Sequence, residues 1–304
     1  MFPDPALESS VHAAMAEAGV TDPVDLRELD ATQAGISSVE GIDALRGLRR
    51  LRLDDNRIAD LAPLAGLVEL TGLFLADNAV TDVTPLAALN RLPALDLSGN
   101  AISDVSALAS MTCLTWLDLS RTRLSDAPVV SDLQFLTRLA LDRTGLRDLP
   151  DVSRLRRLRS LSAASNRLTD VGRLGGCRSL RTLDLRANRI ENLAGLRGLD
   201  ELVGLDLSEN PVSDLSPLAD LPRLRSLYLW CTRAADLTPL RGLTGLVELG
   251  LADNPVSDVD PLDGLAQLEV LFLGGNHQLD GSSSTVGAGV DDFRGPSWRD
   301  AATR

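Results

Sequence analysis

The sequence predicts an α/β solenoid: a horseshoe of stacked coils with one parallel sheet on its concave face. Short 3₁₀ or single-turn helices line the convex face, and a helix caps the N-terminal end. Three observations lead there. A run of leucines followed by an amide or hydroxyl residue returns every 22 residues with no insertion or deletion, at Asn56, Asn78, Asn100, Thr122, Thr144, Asn166, Asn188, Asn210, Thr232, Asn254 and Asn276. Within each unit two apolar residues alternate with polar ones, as Leu183 and Leu185 do, which is the period of a strand with one buried face. The return half reads Asp-Leu-x-Pro-Leu-x-x-Leu, as from Asp60 to Leu67 and from Asp214 to Leu221. A fixed short period marks a repeat architecture. The 304 residues therefore divide into a cap (1–25), a solenoid of about eleven full repeats plus a last strand (26–280) and a tail (281–304).

The elements follow in order. Asp4 is the expected N-cap of the cap helix, Pro5 its first residue and Gly19 its stop. Leu7, Val11, Met15 and Ala18 share one face and should cover the first repeat; His12 falls on the solvated side. The first repeat, 26–47, is degenerate, with Ala31 at a leucine place and Ala34 at the Asn place. In the regular repeats the Asn amide can both donate and accept, so it can satisfy the main-chain groups that the turn leaves unpaired. The Asp column (Asp60, Asp82, Asp104, Asp170, Asp214, Asp236, Asp258 and others) caps the return turn. Calcium would need several converging oxygens, and the Gly-Gly-x-Gly spacing of the calcium-binding repeat motif is absent, so capping is favoured over a calcium role. Residues 112–177 are the least regular: Thr122 and Thr144 replace Asn, Ala163 replaces a strand leucine, and Asp151 and Arg173 stand in Pro places. Altered curvature or lower local stability is expected there. The tail from Gly281 to Gly289 is flexible in composition. Beyond it, Phe293 and Trp298 either fold back over the last repeat or belong to a disordered segment able to serve as a peptide ligand.

Composition narrows the function. The net charge of −13 argues against nucleic acid and anionic membrane as partners and suits a basic partner surface. All 30 basic residues are Arg, a bias of the kind a GC-rich bacterial genome leaves. Cys113, Cys177 and Cys231 lie more than two repeats apart, too far for a disulfide, and Cys177 takes a leucine place. No basic segment followed by an apolar run opens the chain, and no stretch is apolar enough to span a bilayer, so the expected location is cytoplasmic, with secretion as the alternative. The two histidines, His12 and His277, lie at opposite ends, which removes His-based triads and metal sites. No catalytic residue, metal or cofactor is expected, and the chain is read as a non-enzymatic monomer.

Strand phase places three columns on the concave face. The aromatic content is only 3%, yet Phe74, Trp116, Tyr228, Trp230 and Phe272 all fall in those columns. Phase argues for their exposure, and exposed aromatic residues are enriched in binding hot spots. Two anchor patches are expected, Phe74/Trp116 and Tyr228/Trp230/Phe272, with an acidic stripe of Asp96, Asp118, Asp184 and Asp206 between them. The matching partner would be a protein offering Arg or Lys together with apolar groups. The bland alternative is a scatter of ordinary surface side chains. Small residues at Gly72, Ala94, Gly204 and Gly250 are expected to let a partner approach closely.

The 22-residue pattern resembles the leucine-rich repeat. The stretches from Asp4 to Val11, from Val24 to Leu26 and from Ile36 to Gly41 resemble the N-terminal cap and first repeat of the internalin-like members of that family. The resemblance covers residues 4 to about 280 and implies protein recognition on the concave face. The short-repeat subclass also includes a regulatory subunit of a Ser/Thr phosphatase, so a targeting subunit of a phosphatase or kinase is a second implied role. An exported adhesion or virulence factor is a third.

Overall fold

The structure is a computed structural model and describes residues 2–279. Both readings of the tail, with Phe293 and Trp298, lie outside the described residues. The chain forms two compact units, divided between Gly145 and Leu146.

The first unit begins with helix α1 (Pro5–Ala18), capped by Asp4 and ended by Gly19 in the left-handed conformation at φ 67°. Six three-residue strands follow: β1 (Glu28–Asp30), β2 (Arg50–Arg52), β3 (Gly72–Phe74), β4 (Ala94–Asp96), β5 (Trp116–Asp118) and β6 (Arg138–Ala140). Each pairs in parallel with the next, residue i opposite residue i+22. The second unit repeats the arrangement with β7 (Ser160–Ser162), β8 (Thr182–Asp184), β9 (Gly204–Asp206), β10 (Ser226–Tyr228), β11 (Glu248–Gly250) and β12 (Val270–Phe272). The solenoid fold and its parallel strands are as the repeat predicts. The strand leucines are buried almost without exception, Leu51, Leu95, Leu183 and Leu249 each at 0% exposure. Among the described residues no helix is long and apolar enough to cross a membrane.

The ladder residues bind as their chemistry requires. The Asn188 Nδ2 donates to the carbonyls of Ala163 and Leu185, both at 2.9 Å, while its Oδ1 accepts from the Leu168 amide at 3.0 Å. One side chain thus ties two successive coils together. Thr122 reaches only its own coil, donating to the Leu119 carbonyl at 2.6 Å. The residue before the ladder position is left-handed in repeat after repeat, and mostly it is not glycine: Asp55, Asp77, Arg121, Ala187 and Glu209 have φ between 53° and 58°. That conformation is costly for an L-residue. The cost is offset because the turn aims each amide at the next coil, as Asp55 N–H does toward the Ala76 carbonyl at 2.8 Å.

The return halves form 3₁₀ turns, as at Ala62–Gly66 and Ser216–Asp220. Asp60, Asp104 and Asp214 each accept from the amide two residues on, at 2.8–2.9 Å. Among the described residues no group of three His, Cys, Asp or Glu is placed to hold a metal ion. Residues 146–159 form no 3₁₀ turn, and Asp151 stands there in the Pro place. Cys177 is core, and its thiol donates to the Val152 carbonyl at 3.1 Å.

The cap contact differs from expectation. Leu7 and Val11 are buried, but Met15 is only half-buried and Ala18 is exposed. The reason lies at Asp4, whose Oδ2 accepts from the amides of Ser37 and Ser38 at 2.8 and 3.0 Å. This pins the N-terminal turns of α1 to the first repeat, while its later turns border an open groove.

Candidate functional site

Each strand turns its central leucine inward and its two flanking side chains outward. Parallel pairing places outward residues 22 apart beside one another, so side chains from neighbouring coils meet across the sheet. The predicted site residues all lie on this outward face, but they differ in how far they reach solvent.

In the first unit, Trp116 and Phe74 are half-buried and in contact, ring centroids 5.6 Å apart and tilted by 40°. They sit two strands apart, and the strand between them carries only Ala94 in the Trp116 row. Gly72 is likewise occupied: a Cβ there would stand 3.0 Å from the Phe74 ring. Phe74 also carries the guanidinium groups of Arg50 and Arg52, 5.2 and 4.8 Å from its centroid. Arg52 in turn lies 3.4 Å from Asp54. The chain's own cations therefore already use the Phe74 face.

Asp96 and Asp118 are half-buried neighbours in register. Each accepts from the amide two residues on, Ser98 at 2.9 Å and Ser120 at 2.8 Å. Burial, followed by the nearby charges of Asp96 and Asp142, pushes the Asp118 carboxyl up to about 6. Burial also raises Asp54, against the bond it accepts from the Ala76 amide.

The second unit holds a three-ring cluster. Trp230 meets Tyr228 edge-on at 5.5 Å and Phe272 edge-on at 5.8 Å, both near perpendicular. The indole lies over Gly250, where a Cβ would collide with its Nε1. That N–H is buried without a hydrogen-bond partner. Tyr228 donates its hydroxyl to the Glu248 carboxylate. Sequence phase put Gly250 on this face as room for a partner and did not single out Glu248; the register, which sets position 248 beside 226 and 250 beside 228, gives both their partners within the chain.

Three expectations of exposure are corrected. Tyr228 is buried at 3%, because Trp230 packs on its ring and Glu248 holds its hydroxyl. Asp206 is buried at 1% and Asp184 at 7%. Asp206 lies in the row between Asp184 and Tyr228 and accepts from the Ser208 amide at 2.9 Å, while Asp184 accepts from the Arg186 amide at 3.2 Å. The acidic positions therefore serve their own backbone, and they are not a free stripe of surface charge. The small residues are corrected too: Gly72 and Gly250 make room for the chain's own rings. Of the five aromatic residues expected on this face, Trp116, Trp230 and Phe272 remain partly open to solvent with no arginine over the ring.

Two family models match the sequence, Leucine Rich repeats (2 copies) over residues 156–198 and Leucine Rich repeat over residues 92–109. No curated protein matches it. Among solved structures, the internalin inlF from Listeria monocytogenes is similar at 26% identity and a TM-score of 0.76, covering 95% of this chain and 96% of that one. Internalin C2 from the same species is 30% identical, with a TM-score of 0.59 over 75% of this chain and 94% of its own. The functional domain of InlJ from Listeria monocytogenes superposes with a TM-score of 0.81 at 24% identity, over 91% of this chain and 61% of that chain.

Proposed function

The chain belongs to the internalin-like leucine-rich-repeat proteins, and from that premise we propose that it is a non-catalytic scaffold binding a partner protein on the outward face of its strands. The observation that carries this reading is Trp230, held edge-on between Tyr228 and Phe272 yet partly open to solvent. An aromatic ring locked by its neighbours loses little freedom on binding, which is what makes such residues strong anchors. Trp116 is the corresponding anchor of the first unit. The net charge of −13 favours a partner with a basic rim around an apolar centre.

The test is a paired affinity capture from lysate of the source organism. One bait is the wild-type chain and the other carries Trp230→Ala and Phe272→Ala, each confirmed as folded by circular dichroism. A protein retained by the first and lost from the second identifies the partner and supports the reading. Identical sets on both baits overturn it. Phosphatase or kinase activity eluting only from the wild-type bait would make the scaffold a targeting subunit.

A further inference from the structure

A groove of about 690 Å³ runs between β1 and helix α1, at the β1 edge of the sheet in the first unit. Its helix wall is short-sided, built from Ala6, Ser10, Ala13 and Glu17; the opposite wall is Glu28 and Asp30 of β1. The volume lies in the ~300–1,000 Å³ range of ligand-sized clefts.

The hydrogen-bond pattern decides which main-chain groups face this groove. The Arg50 amide donates to the Arg27 carbonyl at 3.1 Å, and the Ala31 amide donates to the Arg52 carbonyl at 2.9 Å. In a parallel pair this turns the N–H and C=O of residues 27, 29 and 31 toward β2. Glu28 and Asp30 turn theirs to the outer edge, where no described residue bonds to them. An open edge of this kind is a template for another strand, and proteins usually cover it. Here α1 stands beside the edge without closing it. The lining is also one-sided in charge. Glu17 and Glu28 form no ion pair among the described residues, Asp30 lies 3.9 Å from Arg52, and no basic side chain lines the groove.

We propose that this groove takes an extended peptide of a partner protein, added as a strand to the outer edge of β1. Main-chain bonds to Glu28 and Asp30 hold it, basic side chains meet Glu17 and Glu28, and small apolar side chains pack against Ala6 and Ala13. The site is independent of the aromatic anchors and stands or falls separately from them.

The probes are two fluorescein-labelled hexapeptides, alternating Arg-Val and alternating Glu-Val, titrated into the full chain by anisotropy. The basic peptide is expected to bind at least about tenfold tighter than the acidic one. It should also slow amide exchange at Glu28 and Asp30. Ala13→Trp fills the groove from an exposed helix position. Glu28→Pro removes one edge donor while leaving the bonds of Arg27 and Leu29 to β2 in place. Each should weaken the basic peptide by about tenfold or more, and Val68→Ala, at an exposed position outside the groove, should leave it unchanged. Equal binding of the two peptides, binding that survives both groove variants, or loss in Val68→Ala overturns the proposal. So does concentration-dependent dimerisation abolished by Glu28→Pro, which would assign the edge to a second copy of the chain.

Discussion

Asp4 and Ser37 join the cap helix to the first repeat: the Asp4 Oδ2 accepts from the Ser37 amide at 2.8 Å and from its hydroxyl at 3.0 Å. The other oxygen, Oδ1, caps the helix through the amides of Ala6 and Leu7 at 2.9 and 3.2 Å. One carboxylate therefore both starts the helix and docks it.

Replacing Asp4 by Ala should cost about 1–2 kcal/mol from the lost cap alone. Burial raises the Asp4 carboxyl, but its bonds to Ser37, Ser38 and Leu7 outweigh that and hold it at about 2, against 3.8 ordinarily. A depressed folded-state value stabilises the fold above the unfolded one. The contribution is complete above about pH 4 and fades as pH falls toward 2. Urea titrations at pH 6 and pH 2.5 should show the gap between wild type and Asp4→Ala narrowing at the lower pH.

Asp118 has the opposite sign. Its folded-state carboxyl sits near 6, so between about pH 4 and pH 6 the folded protein holds a proton that the unfolded chain has lost, and stability falls as pH rises through that window. Asp118→Asn should stabilise the protein at pH 7 by about 1–2 kcal/mol. The gain should vanish below pH 4. Thermal melts across pH 4–8 check it, and a gain that does not change with pH would point to another cause.

Thr122 leaves a ladder bond unmade. In regular coils the Asn Oδ1 accepts from the amide twenty residues back, as Asn100 does from Val80 at 2.9 Å. The corresponding buried amide is that of Ile102, and no such bond reaches it. Thr122→Asn should supply it and raise stability by about 1 kcal/mol. Asn100→Thr should lower stability by about 1–3 kcal/mol. Denaturant midpoints at constant slope decide both.

Gly250 should tolerate no side chain beneath Trp230. Gly250→Ala drives a methyl group into the indole Nε1, so the ring must tilt out of its place between Tyr228 and Phe272. The expected result is a loss of about 1–3 kcal/mol, together with a red-shifted tryptophan emission. Unchanged emission would mean that the ring had not moved.

Residues 122–175 should exchange their amides faster than residues 180–265. That stretch includes Thr122 and the segment 146–159 with no 3₁₀ turn. Mass-resolved exchange on the full chain provides the comparison.

Much of the molecule was legible in the chain alone. The 22-residue register sets which strand residue pairs with which, and the period of two within a strand sets which side chains point inward. Both are local rules, and Asn188, Asp60 and Asp4 behave as local chemistry requires. Phase, however, states only the direction in which a side chain leaves the backbone. Whether it then meets solvent depends on what the adjacent coil lays across it, and coils about 4.8 Å apart are close enough for one aromatic ring to cover the next strand. Tyr228, Asp184 and Asp206 point outward as phase predicts, yet they are buried by such lateral packing. The same contacts filled the spaces at Gly72 and Gly250. Only the tertiary structure could show that the outer edge of β1 stands open beside α1, because that depends on where Asp4 anchors the helix.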